Sequence, residues 1–284
     1  MTHTATTLAH HEISTEKGVL RYQVTGDGPP LLLLHGSGPG VTGLRNFGGN
    51  LPRFAEHFTC YVVDFPGFGV SDDFGGHPMV TALDAVETFV DSTGLSTVSI
   101  IGNSMGGGIA LNYAAEHPER VSRIVSIGGV GKALFGPTPT EGIKLLQEFT
   151  DSPTRERLVR WLHSMVFDPD MVTDELVEER WSQATEPRTL DSARRMYSSA
   201  AFAAMMQSME NSATPPPWSM LHKVQAPTLL AWGRDDRVTP LDMALVPLRT
   251  IPDVELHVFS RCGHWAMIEQ KAAFEDTSLA FLQR

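Results

Sequence analysis

Short apolar runs recur along this chain of 284 residues, with helical patterns between several of them. Runs rich in Leu and β-branched residues are typical of strands buried on both faces, as in a parallel sheet covered by helices. The runs lie at residues 31–34, 60–63, 98–101, 124–127, 228–232 and 256–259, and helical periodicity appears at 81–89, 107–116 and 272–282. Residues 19–24 alternate between apolar and polar, which predicts an edge hairpin strand. We therefore predict an α/β fold with a mostly parallel central sheet and helices on both faces.

The strand pattern stops between about residues 132 and 223, where helical periodicity takes over. It predicts helices at 141–149, 154–165, 173–183 and 189–209, and prolines 215–217 end the segment because consecutive prolines cannot continue a helix. Seven of the 12 Met residues lie here, which fits either ordinary helix packing or an adaptable cover over an apolar substrate. We predict a helical lid at 132–223, inserted between two parts of one α/β core, 1–131 and 224–284.

The charge balance narrows the class of partner. With 22 basic and 33 acidic side chains the formal net charge is −11, so the long-range field repels nucleic acid and anionic membrane surfaces. No apolar stretch reaches the roughly 18 residues of a membrane span, and residues 1–14 lack the basic and apolar blocks of a signal peptide. Cys60 and Cys262 are too few for a disulfide framework and suit a reducing compartment. We expect a cytoplasmic protein that binds a small molecule.

The pentapeptide Gly102-Asn103-Ser104-Met105-Gly106 is the strongest local motif. It lies between the apolar run 98–101 and a helical segment, which is the strand–turn–helix context that a nucleophile elbow requires. Small residues flank Ser104 because the turn is too tight for large ones and directs the hydroxyl outward. Ser104 is therefore the candidate nucleophile, and the purely structural alternative is an ordinary serine in a glycine-rich turn.

A serine hydroxyl needs a base to take its proton and an acid to orient that base. His264 follows the predicted strand 256–259 in a short loop before the last helix, and a carboxylate follows the strand 228–232 at Asp235 or Asp236. Loops at the carboxyl ends of the strands are where open α/β sheets place their sites. Serine, acid and histidine in this order match the triad order of α/β-hydrolases, but spacing alone does not separate Asp235 from Asp236.

The oxyanion formed in acyl transfer needs N–H donors. One is expected from Met105, the residue after the nucleophile, and the other from the loop after strand 31–34, which reads His35-Gly36-Ser37-Gly38-Pro39-Gly40. The glycines let this backbone turn inward, and the N–H of Ser37 is the expected second donor. His35 is expected to fix the loop, because His264 already fills the role of base.

The stretch Gly38–Gly43 also matches the dinucleotide fingerprint G-x-G-x-x-G, with Asp64 at the end of the next strand. Against this alternative, Pro39 removes an N–H where a pyrophosphate needs donors, and Gly48 and Gly49 disfavour the helix that should follow. A dinucleotide-binding protein is therefore the weaker alternative. We expect neither a cofactor nor a metal.

Taken together, these motifs resemble the α/β-hydrolases that cleave meta-ring-fission products in bacterial aromatic and steroid breakdown, the 2-hydroxy-6-oxo-hexa-2,4-dienoate hydrolases. The resemblance runs from about Gly18 to the C-terminus, and its marks are residues 35–40 with Asn46, 102–107, 232–237 and 257–265. Generic esterases share the elbow but rarely combine an Asn before the serine with the sequence Cys-Gly-His-Trp. By this resemblance Asp236 is the acid of the triad.

The resemblance implies a cofactor-free hydrolase acting on carbon–carbon bonds in ketonic substances. The substrate would be an anionic dienoate ketone, split into a 2-hydroxypenta-2,4-dienoate and a carboxylic acid. Arg180 would bind the substrate carboxylate, Trp218 would form a wall of the apolar subsite, and the dienoate subsite would be lined by Gly38, Asn46, Asn103 and Trp265. From the residues alone, Arg180, beside Glu178 and Glu179, fits a helix surface better than a binding site, whereas Trp218 fits a core aromatic and a subsite wall equally well.

Some features depart from the family or stay open. Ser37 replaces the commoner Gly of the oxyanion loop, so we expect its side chain either to add a hydrogen bond there or to shift the donor. Lid residues around Met165 vary where the family tunes its ketone-side pocket, so the group that the substrate carries there stays open. The resemblance also implies a homo-oligomer.

The alternative within the same fold is a lidded carboxylesterase, which would prefer p-nitrophenyl butyrate and be indifferent to Arg180→Ala.

Overall fold

A central sheet of eight strands is formed by the chain in the computed structural model, which describes residues 8, 10–129, 131–211 and 217–284. The strands are β1 (His10–Thr15), β2 (Gly18–Thr25), β3 (Pro30–Leu34), β4 (Thr59–Asp64), β5 (Val98–Asn103), β6 (Val121–Ile127), β7 (Thr228–Gly233) and β8 (Val254–Phe259). Their order is β1-β2-β4-β3-β5-β6-β7-β8. The pairs β1–β2 and β2–β4 are antiparallel and the others are parallel. Each apolar run is a strand of this sheet, which confirms the predicted α/β fold.

The prediction of an edge strand at 19–24 is half right. This segment forms β2 and makes a hairpin with β1, but β1 lies at the edge of the sheet instead of β2. The sequence of β1 is His-His-Glu-Ile-Ser-Thr, whose side chains are mostly exposed, and Ile13 packs against the core. An edge strand with so little apolar content gives no apolar run for a sequence pattern to detect.

Helices cover both faces of the sheet. They are α1 (Gly43–Phe47), α2 (Leu51–Phe54), α3 (Pro78–Ser92), α4 (Met105–Glu116), α5 (Glu141–Asp151), α6 (Arg155–Met165), α7 (Asp174–Ala184), α8 (Pro187–Tyr197), α9 (Ser199–Asn211), α10 (Leu245–Thr250), α11 (Ala266–Glu269) and α12 (Lys271–Leu282). In β3, Leu31 and Leu33 pack in one buried cluster with α2 and α12, and Leu32 and Leu34 pack in another with α3 and α4. Alternate side chains of one strand therefore bury opposite faces.

Helices α5–α9 lie between β6 and β7, and we refer to them as the helical insertion. The single helix predicted at 189–209 is in fact two, because the backbone is extended at Ser198 (φ −59°, ψ 152°) between α8 and α9. The hydroxyl of Ser198 accepts a hydrogen bond from the N–H of Ala201, and the hydroxyl of Ser199 donates to Asp151. The local bond of Ser198 competes with a continuous helical backbone and favours the break, whereas the bond of Ser199 ties the start of α9 to α5.

The end of the helical insertion is described in part. Prolines 215 and 216 lie outside the described residues, and Pro217 begins a 3-10 turn, Pro217–Lys223, that leads to β7. The division of the chain into core and lid at residues 132 and 223 stays a prediction. Within the described ranges, no helix has both the length and the apolar character needed to cross a membrane.

Candidate active site

Ser104 lies in a sharp turn between β5 and α4, as the motif predicts. Its backbone has φ 53° and ψ −115°, a conformation that L-residues rarely adopt and that is held here by its surroundings. A Cβ on Gly102 would lie 2.3 Å from the carbonyl oxygen of Gly106, and a Cβ on Gly106 would lie 2.1 Å from that of Leu34. Glycine is therefore required on both sides of Ser104, which explains the G-x-S-x-G spacing.

His264 and Asp236 form a buried pair. Nδ1 of His264 lies 2.7 Å from Oδ2 of Asp236. The other oxygen of Asp236 accepts hydrogen bonds from the N–H groups of Val238 (2.8 Å) and Thr239 (2.9 Å), and the Thr239 hydroxyl donates to Oδ2 (2.8 Å). These hydrogen bonds fix the position of the Asp236 carboxylate, which holds the imidazole at Nδ1 and leaves Nε2 to accept a proton.

The neighbouring acid, Asp235, has different partners. It forms an ion pair with Arg234 (3.2 Å) and accepts a hydrogen bond from the N–H of Cys262 (3.4 Å). The geometry therefore separates the two candidates that spacing alone left open, because Asp236 is the carboxylate in contact with His264.

One cavity brings most of the predicted site residues together. Those that line it are Ser37, Gly38, Asn46, Asn103, Ser104, Arg180, His264 and Trp265. Asp236 lies behind His264. Met105 is buried as the first residue of α4, so the N–H of Met105 has no partner within the helix. The structure therefore places two candidate oxyanion donors, Ser37 and Met105, at the loop after β3 and at the turn that holds the serine.

The loop after β3 is held by side chains from two neighbouring segments. His35 is buried, its Nε2 accepts a hydrogen bond from the N–H of Phe65 (3.0 Å), and its Nδ1 donates to the carbonyl of Gly36 (2.5 Å). Burial lowers the pKa of His35, which keeps this imidazole neutral and fits the acceptor role. The Oδ1 of Asn46 accepts from the N–H of Gly36 (2.8 Å). His35 thus fixes the loop, as predicted, and Asn46 fixes it as well.

The residues of the dinucleotide fingerprint have structural partners instead. Asp64 accepts hydrogen bonds from the N–H groups of Gly43 (2.7 Å) and Val70 (3.1 Å), so its carboxylate holds two loops. A Cβ on Gly38 would lie 2.6 Å from the indole of Trp161, which explains the glycine by close packing. The helix that follows, α1, has five residues. The geometry favours a loop against the catalytic cavity over a pyrophosphate site.

Arg180 is a buried cation in the cavity wall. It lies on α7, which begins where the hydroxyl of Thr173 accepts a hydrogen bond from the N–H of Leu176. Arg180 is 4% exposed, and its guanidinium stacks over Trp265 with 5.5 Å between Cζ and the ring centre. Burial, with repulsion from Arg45, lowers the pKa of Arg180 to about 10, so it stays charged at neutral pH. Its neighbour Glu179 pairs with Arg45 instead.

Trp218 does not line this cavity, contrary to the family-based expectation. It belongs to the 3-10 turn Pro217–Lys223, and it is partly buried against the cluster that contains α3 and α4. Leu221 and Val224 anchor the same segment in that cluster. The other reading of Trp218, a core aromatic that anchors the end of the insertion, fits this position.

Sequence reasoning missed two polar groups of the site. Tyr197, the last residue of α8, lines the cavity, and its phenol is hydrogen-bonded to the hydroxyl of Ser37. Thr239 lines it too and contacts both Asp236 and His264. A polar residue three positions after a candidate triad acid was the available signal for Thr239, whereas nothing local marks Tyr197.

Known proteins resemble this chain along almost its whole length. The α/β hydrolase fold family matches residues 29–271. A 2-hydroxy-6-oxo-6-phenylhexa-2,4-dienoate hydrolase of Burkholderia cepacia is 38% identical over 280 residues, which cover 94% of this chain and 93% of the relative. A 2-hydroxy-6-oxononadienedioate/2-hydroxy-6-oxononatrienedioate hydrolase of Burkholderia vietnamiensis is 37% identical over 300 residues, which cover 98% and 99%.

A solved structure gives the same result. A meta-cleavage product hydrolase from Pseudomonas fluorescens IP01 matches with a TM-score of 0.85 at 28% identity, over 97% of this chain and 98% of that one. The match spans the sheet and the helical insertion together. The chain therefore belongs to the α/β hydrolase fold family and, within it, to the 2-hydroxy-6-oxo-dienoate hydrolases.

Proposed function

We propose that this enzyme hydrolyses a carbon–carbon bond in a 2-hydroxy-6-oxo-hexa-2,4-dienoate, a ring-fission product of aromatic or steroid breakdown. The observation that carries the proposal is the buried guanidinium of Arg180 in the same cavity as Ser104 and His264. A neutral ester gives such a cation nothing to neutralise, whereas a dienoate carboxylate does. The names of the relatives, hydrolases of such dienoates, support the same substrate class.

In the proposed complex, different residues of the cavity contact the carboxylate and the diene of the substrate. The substrate carboxylate accepts hydrogen bonds from the planar fork of Arg180, and the diene lies beside Trp265 and Asn103. Asn46 has a second use: its Oδ1 holds the loop, and its Nδ2 is buried with no protein partner among the described residues. A buried amide donor is costly unless a ligand oxygen accepts its hydrogen bond, so Asn46 is a binding residue in this account.

The proposed reaction has two halves. The dienolate is first ketonised, and Ser104 then attacks the distal ketone while His264 takes the hydroxyl proton. The C5–C6 bond breaks, its electrons pass along the conjugated chain to the C2 oxygen, and that oxygen takes a proton as the 2-hydroxypenta-2,4-dienoate leaves. Water, activated by His264, hydrolyses the acyl group on Ser104 to the carboxylic acid. Asp236 holds His264 in both halves, and the N–H groups of Ser37 and Met105 stabilise the oxyanion.

The test is a panel of yellow 2-hydroxy-6-oxo-dienoates that carry phenyl, alkyl or steroid-type groups on the ketone. The purified protein is mixed with each compound, and loss of dienolate absorbance is followed. The proposal expects bleaching of at least one compound, together with release of the matching carboxylic acid. An absence of bleaching across the panel contradicts it.

The alternative, a lidded carboxylesterase, draws on the same triad and oxyanion loop. It differs in its need for Arg180. A carboxylesterase turns over p-nitrophenyl butyrate far better than any dienoate and is insensitive to Arg180→Ala. A dienoate hydrolase loses most of its dienoate turnover in that variant, so the two substrates separate the two functions.

We include in the proposal a homo-oligomer in the cytoplasm. Support for assembly comes from the sheet edge at β8, where Val258 is exposed, and from Met205 and Met206, exposed on α9. Support for a reducing compartment comes from Cys60 and Cys262, which are unpaired and buried. Sedimentation velocity at micromolar concentration tests the assembly, and a monomer there contradicts it.

A further inference from the structure

A second pocket, here called the outer pocket, lies against Arg180 and Trp265. Arg45, Met171, Leu176, Glu179 and Ile268 complete its wall. Arg180 and Trp265 also line the catalytic cavity, so the stacked pair forms a partition between the two spaces. The side chains of Glu179 and Ile268 are exposed, which places the mouth of the outer pocket at the protein surface. The steps of the proposed reaction make no use of this pocket.

The outer pocket is positively charged. It contains two guanidinium groups, from Arg45 and Arg180, and one carboxylate, from Glu179. Arg45 pairs with Glu179 through Nη2, but its Nη1 is buried and finds no partner within the described residues. The buried Nε of Arg180 likewise has no hydrogen-bond partner within the described residues. Two like charges with spare donors are stabilised by an anion that accepts hydrogen bonds from both.

The remaining wall of the outer pocket is apolar and comes from Met171, Leu176 and Ile268. A small inorganic anion gains nothing from these side chains. A carboxylate attached to a flat conjugated chain satisfies both parts of the pocket, with its charge at the arginines and its carbon chain against the apolar wall and the indole of Trp265.

We propose that the outer pocket is a docking site for a conjugated carboxylate, and that Arg45, together with Arg180, holds the substrate carboxylate there before the substrate enters the catalytic cavity. The identity of the ligand rests on the proposed function. In a chain of net charge −11 the overall field repels such an anion, so a local pair of cations at the surface raises its concentration at the mouth of the cavity. Glu179 competes with the ligand for Arg45, because both present a carboxylate to the same guanidinium.

The experiment compares two substitutions that are expected to change the KM for a dienoate in opposite directions. Arg45→Gln removes the docking charge and is expected to raise the KM for a dienoate roughly 2- to 5-fold with kcat unchanged, the size of one partly exposed charge contact. Glu179→Gln frees Arg45 and is expected to lower the KM. The KM of the wild type should rise with salt, and Arg45→Gln should weaken that dependence because exposed charges are screened.

The matched control is the neighbouring ion pair between Arg155 and Glu178, which joins α6 to α7 at 2.7 Å and lies outside both pockets. Arg155→Gln and Glu178→Gln are expected to leave KM, kcat and salt dependence unchanged. If Arg45→Gln and Glu179→Gln raise KM together, their ion pair has a structural role and the docking site is wrong. If neither changes KM, the docking site is wrong as well.

Binding of sorbate (hexa-2,4-dienoate) separates this inference from the proposed function. Its dissociation constant is measured by calorimetry in the wild type and in the two variants. Arg45→Gln should weaken binding, and Glu179→Gln should tighten it, whether or not any dienoate is cleaved. A protein that cleaves no dienoate but shows these shifts refutes the proposed function alone, and one that cleaves dienoates without the shifts refutes the docking site alone.

Discussion

The phenol of Tyr197 is hydrogen-bonded to the hydroxyl of Ser37, so the last residue of α8 touches the loop that holds a candidate oxyanion donor. Both side chains line the catalytic cavity. Desolvation raises the pKa of Tyr197, which keeps the phenol protonated at neutral pH. The helical insertion is thereby linked to the oxyanion loop, and Ser37, which departs from the commoner Gly of the family, has a defined partner.

Tyr197→Phe removes this hydrogen bond and keeps the ring. We expect kcat to fall about 5-fold with little change in KM, because one neutral hydrogen bond contributes about 1 kcal/mol. The double variant with Ser37→Ala should lose no more than either single variant, since both remove the same contact. Tyr61→Phe, on β4 and outside the cavity, is the control and should leave kcat unchanged. Additive losses contradict the coupling between Ser37 and Tyr197.

Asp236→Asn tests the assignment of the acid. The amide cannot stabilise the protonated imidazole and favours the wrong tautomer of His264, so we expect kcat to fall roughly 10³- to 10⁴-fold. Asp235→Asn, one position away, is the matched control and should change kcat less than about 3-fold, because Asp235 contacts Arg234 on the surface. Steady-state turnover of a dienoate measures both, and comparable losses would show that the adjacent acids share the role.

Arg180→Gln tests the carboxylate site. Removal of a buried charge partner leaves the substrate carboxylate unpaired, and we expect kcat/KM for a dienoate to fall at least about 30-fold. Turnover of p-nitrophenyl butyrate should stay within about 3-fold, because a neutral ester makes no ion pair. The control is Arg160→Gln on α6, whose partner is Glu148 at 3.2 Å. An equal loss on both substrates would mean that Arg180 supports the cavity and not the substrate.

Because His35 is buried, we expect the free energy of unfolding to fall in mild acid. Burial lowers the pKa of His35 in the folded protein below its ordinary value of about 6.5, which applies to the unfolded chain. At a pH between these two pKa values, the unfolded chain binds a proton at His35 and the folded chain does not. The contribution of neutral His35 to the free energy of unfolding is therefore complete above the ordinary pKa and declines as the pH falls through this window. Urea unfolding at about pH 7.5 and about pH 5.5 should show less stability at the lower pH.

The matched variants assign that loss to His35. In His35→Gln, part of the difference in unfolding free energy between the two pH values should disappear, because glutamine does not titrate. His222→Gln, at an exposed position, should keep the full difference. If His35→Gln keeps it too, acid destabilisation comes from other groups.

The triad and the loops that carry it could be predicted from sequence because each has a local signal. Ser104 needs glycines beside it for steric reasons, and His264 and Asp236 follow apolar runs that are recognisable as buried strands. The six core strands were predictable for the same reason. The choice of Asp236 over Asp235 required either the family resemblance or the 2.7 Å contact with His264.

Contacts between distant segments left no such signal. Ser37 and Tyr197 are separated by 160 positions, and the pairing of Arg45 with Glu179 likewise depends on how α7 is placed over α1. The edge strand β1 was missed because it is mostly polar, and the break at Ser198 was missed because serine is tolerated in helices. Trp218 was misplaced because its position depends on the path of the 3-10 turn toward α4.

The nucleophilic role of Ser104 in carbon–carbon cleavage is the central claim, and rapid-quench mass spectrometry tests it most directly. The protein is mixed with a 6-phenyl dienoate, quenched within one turnover and digested. We predict a benzoyl group on the peptide that contains Ser104 in the wild type, and neither adduct nor turnover in Ser104→Ala. Undiminished cleavage by Ser104→Ala would contradict the account.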